Sequence, residues 1–151
     1  MPSVLFVCLG NICRSPLAEG ILRREAAERG IPLEVDSAGT GDYHLGSLPD
    51  ERACAEGTSR GCDMTMRARQ VRPSDFERFD LVIAMDAQNR RNLLRMAGPN
   101  AAKVRLLREF DPTAPKDAEV PDPYYGGASH FTEVAEMIER AVEGIFRSLD
   151  H

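Results

Sequence analysis

Nine consecutive residues, Cys8-Leu9-Gly10-Asn11-Ile12-Cys13-Arg14-Ser15-Pro16, hold two thiols, a guanidinium and a hydroxyl between an apolar run and a helical pattern. A loop that enters a helix presents free backbone N–H groups beside the positive end of the helix dipole, which suits an anion. Gly10 and Asn11 are residue types that tolerate positive φ, so successive amides can turn inward as a nest. Pro16 fits the first helical turn, where its missing N–H costs nothing. No Gly-Lys-Ser/Thr follows, which excludes a Walker A loop. Cys8 stands at the mouth of this cradle, where inward amides, the dipole and Arg14 favour a reactive thiolate. Arg14 offers a planar fork that matches two phosphoryl oxygens, and Ser15 can donate to the sulfur. A thiolate beneath a bound phosphate is set up for in-line attack on phosphorus.

Expelling an alkoxide or phenolate then needs a general acid. Asp122, in Val120-Pro121-Asp122-Pro123-Tyr124-Tyr125-Gly126-Gly127, is the candidate. Prolines restrict its backbone on both sides, and two tyrosines beside it can wall an aromatic substrate. Asp80 and Asp86, which flank another apolar run, are rivals for the acid role but are expected rather to cap or end the run. A cysteine hydrolase that pairs Cys8 with histidine is disfavoured, because His44, His130 and His151 lack a motif context.

The 151 residues predict one domain over 1–151, long enough to bury a core without staples. Hydrophobic residues at 42% and charged residues at 28% exclude a disordered tail, a collagen-like chain and a disulfide scaffold. No apolar run reaches the length of a membrane span, and the start lacks a basic signal region, so a cytoplasmic location is expected. A net charge of -5 argues against a nucleic-acid partner. Arg67, Arg69 and Arg72 read as a solvated basic face. Neither Cys8/Cys13 nor Cys54/Cys62 has Cys-x-x-Cys spacing, so no metal and no cofactor are expected.

The elements that must position the loop are legible as alternating strands and helices. Val4-Leu5-Phe6-Val7 and Leu81-Val82-Ile83-Ala84 are continuous apolar runs suited to central strands, while Leu33–Asp36 and Val104–Leu106 alternate. Leu17, Ala18, Ile21, Leu22 and Ala26 recur at helical spacing ahead of Gly30 and Pro32. Further helices are expected near Pro49–Glu56 and Ala87–Met96. Phe131, Val134, Ile138, Ala141, Val142, Ile145 and Leu149 form the clearest core-facing stripe. This pattern predicts an α/β fold: a four-stranded parallel sheet, order 2-1-3-4, with helices on both faces. Winding reverses beside the first strand, and ligands bind at such a switch point, where residues 8–15 lie.

The loop from Cys8 to Pro16, followed far downstream by Asp122-Pro123-Tyr124-Tyr125, resembles the low-molecular-weight protein tyrosine phosphatases. Asp36-Ser37-Ala38-Gly39-Thr40, Ala68-Arg69-Gln70 and Met85-Asp86 match in order, so the likeness covers essentially the whole chain. It implies a phosphatase I-like fold and a metal-free, two-step hydrolysis of a phosphotyrosine protein or peptide, releasing inorganic phosphate. Cys8 would be the nucleophile, Arg14 the phosphoryl ligand, Ser15 the thiolate stabiliser and Asp122 the acid, then base. By the same likeness Asn11 and Ser37 belong to the network that holds residues 9–15 in shape. Ile12, Tyr43, Tyr124 and Tyr125 would form the substrate rim, and Cys13 the thiol that pairs with an oxidised Cys8. Met66 departs from the pattern, since many members carry histidine there. Phosphoarginine phosphatases resemble this loop but carry Thr at the position of Ile12. Thiol-dependent arsenate reductases place a cysteine pair near residues 80–90, where this chain has none. A non-catalytic phosphoprotein-binding module is the reading from another class, and it would leave Cys8, Arg14 and Asp122 idle.

Overall fold

The computed structural model describes residues 1–150. Four parallel strands, β1 (Ser3–Cys8), β2 (Glu34–Gly39), β3 (Leu81–Ala84) and β4 (Val104–Leu106), form one sheet in the order β2-β1-β3-β4. The expected topology is therefore observed. β1 and β3 are buried at every position, which is why they read as unbroken apolar runs rather than alternating ones.

Helices α1 (Arg14–Arg29), α2 (Glu51–Ser59), α3 (Asp75–Arg78), α4 (Ala87–Ala97) and α5 (Ala128–Leu149) cover the sheet. Period-two alternation divides the core. Val4, Phe6 and Cys8 of β1 share a cluster with Leu17 and Ile21 of α1 and with Phe131, Ile138 and Ile145 of α5. Leu5 and Val7 point the other way, into a cluster with Phe76, Phe79 and Leu93. Each fully buried Phe or Leu contributes about 1.5–3 kcal/mol relative to leaving it exposed.

The local stops follow their residue chemistry. α1 ends at Gly30, whose φ of 66° places it in the left-handed region, and Ile31 N–H closes back on the Ala26 carbonyl at 2.9 Å. α2 begins two residues after Pro49 because Asp50 is its N-cap, accepting from Arg52 N–H, and it runs on to Ser59. On α5 the expected stripe is buried except at Leu149, which is half-buried, and Phe146 joins it. α3 and two 3₁₀ segments, Gly98–Lys103 and Leu107–Phe110, are too short to show a period in sequence. The basic face expected at Arg67, Arg69 and Arg72 holds for the first and last only. The half-buried Arg69 is inserted between Asp36 and Asp75, at 3.0 Å from each, tying β2 to α3.

Candidate active site

Cys8 ends β1 and Arg14 begins α1, so residues 9–13 make the whole strand-to-helix connection at the carboxyl edge of the sheet. Asn11 takes φ 58°, the strained conformation that turns the loop inward, whereas Gly10 is not in the positive-φ region. Gly10 serves space instead: a Cβ there would lie 2.9 Å from the His44 ring. Gly39, at the end of β2, supports the loop from beneath. A Cβ on Gly39 would come within 2.8 Å of the Leu9 carbonyl oxygen and 3.2 Å of the Asn11 nitrogen.

A hydrogen-bond chain holds Asn11 in its left-handed conformation. Its Nδ2 donates to Ser15 Oγ at 2.8 Å and to Ser37 Oγ at 3.0 Å, and its Oδ1 accepts from Arg69 N–H at 3.0 Å. The backbone donor from Arg69 fixes which way the amide faces. Ser37 in turn donates to Glu19 Oε1 at 2.6 Å. Glu19 is only 1% exposed and pairs with Arg23 at 2.8 Å. Burial pushes the Glu19 carboxyl above its ordinary value, against the pull of Ser37 and Arg23. Met66 is half-buried against the core, and the network closes through Glu19 and Arg69. Ser15 Oγ accepts from Asn11, and the acceptors within reach of its own proton are Cys8 Sγ at 3.0 Å and the Ala38 carbonyl at 3.5 Å.

Arg14 is buried. One of its terminal nitrogens, Nη1, donates to Asp86 Oδ2 at 2.7 Å and to the Val120 carbonyl at 2.8 Å. Its Nη2 lies 3.9 Å from Asp122 Oδ2. Burial works against the guanidinium charge, but Cys8, Asp86 and Asp122 together outweigh it and raise Arg14 above its usual range. Asp86, a rival for the acid role by sequence, is better read there as a cap. It is one, with Oδ1 accepting from Asn89 N–H at 2.8 Å, and its other oxygen orients Arg14. Asp80 sits at the opposite edge of the sheet, bonded to Ser3, away from the loop.

Cys8, Leu9, Gly10, Ile12, Cys13, Arg14, Tyr43, Asp122, Tyr124 and Tyr125 line one cleft of about 410 Å³, together with His44. Every expected loop and rim residue is thus gathered there, except that Asn11, Ser15 and Ser37 lie behind its floor. Tyr43 is 70% exposed and Tyr125 95%, and the rings of Tyr124 and Tyr125 meet edge to face at 5.0 Å. Asp122 projects into the cleft with its side chain 42% exposed, and its Oδ1 accepts from Tyr124 N–H at 3.1 Å. Cys13 is buried beside Cys8, and burial pushes its thiol upward. Among the described residues no three His, Cys, Asp or Glu side chains gather as metal ligands would.

Sequence reasoning missed Glu19, Gly39, His44, Arg69 and the second role of Asp86. Gly39, Arg69 and Asp86 lie inside matched segments. Glu19 carried no local signal, because a glutamate four residues ahead of Arg23 reads as a surface helix pair.

Residues 3–151 match the sequence profile of the family described as low molecular weight phosphotyrosine protein phosphatase. A low molecular weight protein-tyrosine-phosphatase of Streptomyces coelicolor is 47% identical over 97% of this chain and 92% of its own. A protein tyrosine phosphatase from Entamoeba histolytica superposes with a TM-score of 0.94 at 38% identity, covering 99% of this chain and 97% of that one. A Drosophila arginine phosphatase superposes at 0.91 with 31% identity over 98% of both chains. With a cradle, thiol, arginine and carboxylate gathered in one cleft and a match along nearly its entire length, the chain belongs to the low molecular weight phosphotyrosine protein phosphatase family.

Proposed function

We propose that this chain is a protein tyrosine phosphatase that hydrolyses phosphotyrosine in proteins or peptides through a phosphocysteine intermediate. The observation that carries the reading is Cys8 Sγ at the cleft floor, 3.0 Å from the Ser15 hydroxyl, with Arg14 and Asp122 facing the same space. In the first step the Cys8 thiolate attacks phosphorus, the S–P bond forms and the P–O bond to the phenol breaks. The Arg14 fork and the amides of residues 9–15 take the charge of the equatorial oxygens. Asp122 gives its proton to the departing phenolate. In the second step Asp122 takes a proton from water, the water oxygen bonds to phosphorus, and the S–P bond breaks. Inorganic phosphate leaves, and the Ser15 hydroxyl stabilises the returning thiolate.

Depth sets the substrate. Cys8 is 3% exposed, so a phosphate must arrive on a stem long enough to reach the floor. A phenyl ring provides that reach and contacts Ile12, Tyr43, Tyr124 and Tyr125 on the way. A seryl phosphate would press the peptide backbone against the rim. Phosphoarginine is the second reading, because a long stem also reaches the floor and the fold is shared with an arginine phosphatase. Ile12, an apolar side chain lining the cleft, favours the aromatic ring.

Matched phosphotyrosine, phosphoserine and phosphoarginine peptides separate these readings by kcat/KM, which reports differential transition-state binding. The phosphotyrosine peptide is expected to exceed both others by more than about 100-fold. A phosphoserine value equal to it overturns the deep-cleft reading. A phosphoarginine value above it moves the protein to the second reading, and no turnover of any peptide leaves a phosphoprotein-binding module.

A further inference from the structure

Asp122 sits on an exposed loop whose own bonds are few. Inside the loop, Tyr124 N–H reaches Asp122 Oδ1 at 3.1 Å and Gly126 N–H reaches the Pro123 carbonyl at 2.9 Å. Among the described residues, hydrogen bonds from elsewhere in the chain to residues 121–126 come from a single side chain, Arg52. Its Nη1 donates to the Gly126 carbonyl at 2.6 Å and its Nη2 to the Tyr124 carbonyl at 2.9 Å. The guanidinium also lies 4.5 Å from the centre of the Phe131 ring on α5 and 5.7 Å from that of Tyr124.

The other side of the same guanidinium is anchored. Nε and Nη2 donate to the two oxygens of Asp50, each at 3.0 Å. Asp50 caps α2 and donates its own N–H to the Ile12 carbonyl at 2.8 Å. A continuous path therefore runs from the phosphate-binding loop through Asp50 and Arg52 to the loop that carries Asp122. Only a planar fork can hold a carboxylate on one edge and two carbonyls on the other.

We infer that Arg52 is a positioning residue for Asp122, holding residues 121–126 at the reach from which the carboxyl protonates the leaving group. This rests on the reading of Asp122 as general acid. Proton transfer requires hydrogen-bond reach, so a loop released from its anchor loses acid catalysis while the cradle still binds phosphate.

The test measures kcat/KM for a series of aryl phosphates from dinitrophenyl to phenyl phosphate, in the parent protein, Arg52→Met, Asp122→Asn and the double variant. A leaving group already stable as an anion needs little protonation. Arg52→Met is expected to slow phenyl phosphate by about tenfold or more and dinitrophenyl phosphate by less than about threefold. In the Asp122→Asn background it should add no further leaving-group-dependent loss. Competitive inhibition by inorganic phosphate should change by less than about twofold, since Arg14 and the loop amides hold that anion. Equal losses for all leaving groups, or full additivity with Asp122→Asn, overturn the inference while leaving the acid role standing. A flat leaving-group series for Asp122→Asn alone removes the acid role, and this inference with it. Should Arg52→Met not fold, Arg52→Lys keeps the stem and charge without the fork and is expected to show the same split at smaller amplitude. Parent-like kinetics in Arg52→Lys would overturn the inference.

Discussion

Residues 8–15 and residues 120–127 face each other across one cleft and are held by different means. The first segment is locked from behind: Asn11, Arg14 and Ser15 are each no more than 2% exposed, and their polar side-chain atoms bond to Ser37, Arg69, Asp86 and Val120. The second is mostly exposed, with Tyr125 95% exposed although Val120 and Pro123 are buried, and is fastened by the Arg14 and Arg52 side chains, by Val120 N–H to the Met85 carbonyl and by Gly127 N–H to His130 Nδ1. The division fits the work proposed for each segment. Charge stabilisation by amides and a guanidinium depends on dipoles already pointing at the phosphate before it arrives. A proton donor must also admit a bulky ring and later a water, so an exposed loop on a few anchors suits it.

The comparison can be broken most severely at its rigid side. Cys8→Ser is expected to lower turnover by more than about 10⁴-fold, because no covalent intermediate can form at a useful rate. Rapid quench of the parent enzyme with an aryl phosphate should trap phosphocysteine. Appreciable activity in the variant would sink the mechanism.

At the exposed side, Asp122→Asn should cost about 10²–10⁴-fold in kcat/KM with phenyl phosphate and far less with dinitrophenyl phosphate. The dependence on the leaving group is the signature of the acid.

Asn11→Ala removes the side chain that holds the left-handed turn and frees the Ser15 hydroxyl from its orientation. A loss of about 10- to 100-fold is expected, similar for all leaving groups. That uniformity distinguishes the locked segment from the exposed one. A strongly leaving-group-dependent loss would mean that the two segments are not separable.

The smallest effects concern stability and carry opposite signs. Hydrogen bonds from Arg52 hold the Asp50 carboxyl below its ordinary 3.8, so the native state binds that proton less readily than the unfolded chain. Its stabilisation is present above the ordinary value and is lost as pH falls through the depressed one. Burial raises Glu19 above its ordinary 4.5, so the native state binds that proton more readily. Stability is then lost as pH rises through the window from the ordinary value to the raised native one. Unfolding midpoints measured across pH should show Asp50→Asn weakening the acid-side decline and Glu19→Gln weakening the decline on raising pH. Each shift should be a few degrees, and identical profiles for the two variants would refute the opposed assignment.

Local residue types and their order were enough to read the strand order, the Cys8–Pro16 loop and the Gly30 stop, whereas Asp122 stood out from an ordinary turn residue only through the family resemblance. Apolar runs distinguish central strands from edges, and a thiol in an anion cradle between a strand and a helix can be recognised from nearest neighbours. The positive φ of Asn11 was also legible, because few side chains tolerate that conformation. Its companion expectation at Gly10 was not met, since the glycine there serves space, and that space is defined by His44, distant in sequence. The parts played by Glu19, Gly39 and Arg52, and the hold of Asp86 on Arg14, could be assigned only from the tertiary structure. Each acts through a partner brought near by the fold: Ser37 eighteen residues from Glu19, Gly126 seventy-four from Arg52, Arg14 seventy-two from Asp86. A glutamate on a helix, a glycine ending a strand or an arginine in a first turn has the same local pattern whether it faces solvent or holds a catalytic group. Sequence periodicity reports which face of an element is buried, but the identity of what lies against that face is decided when distant segments pack together.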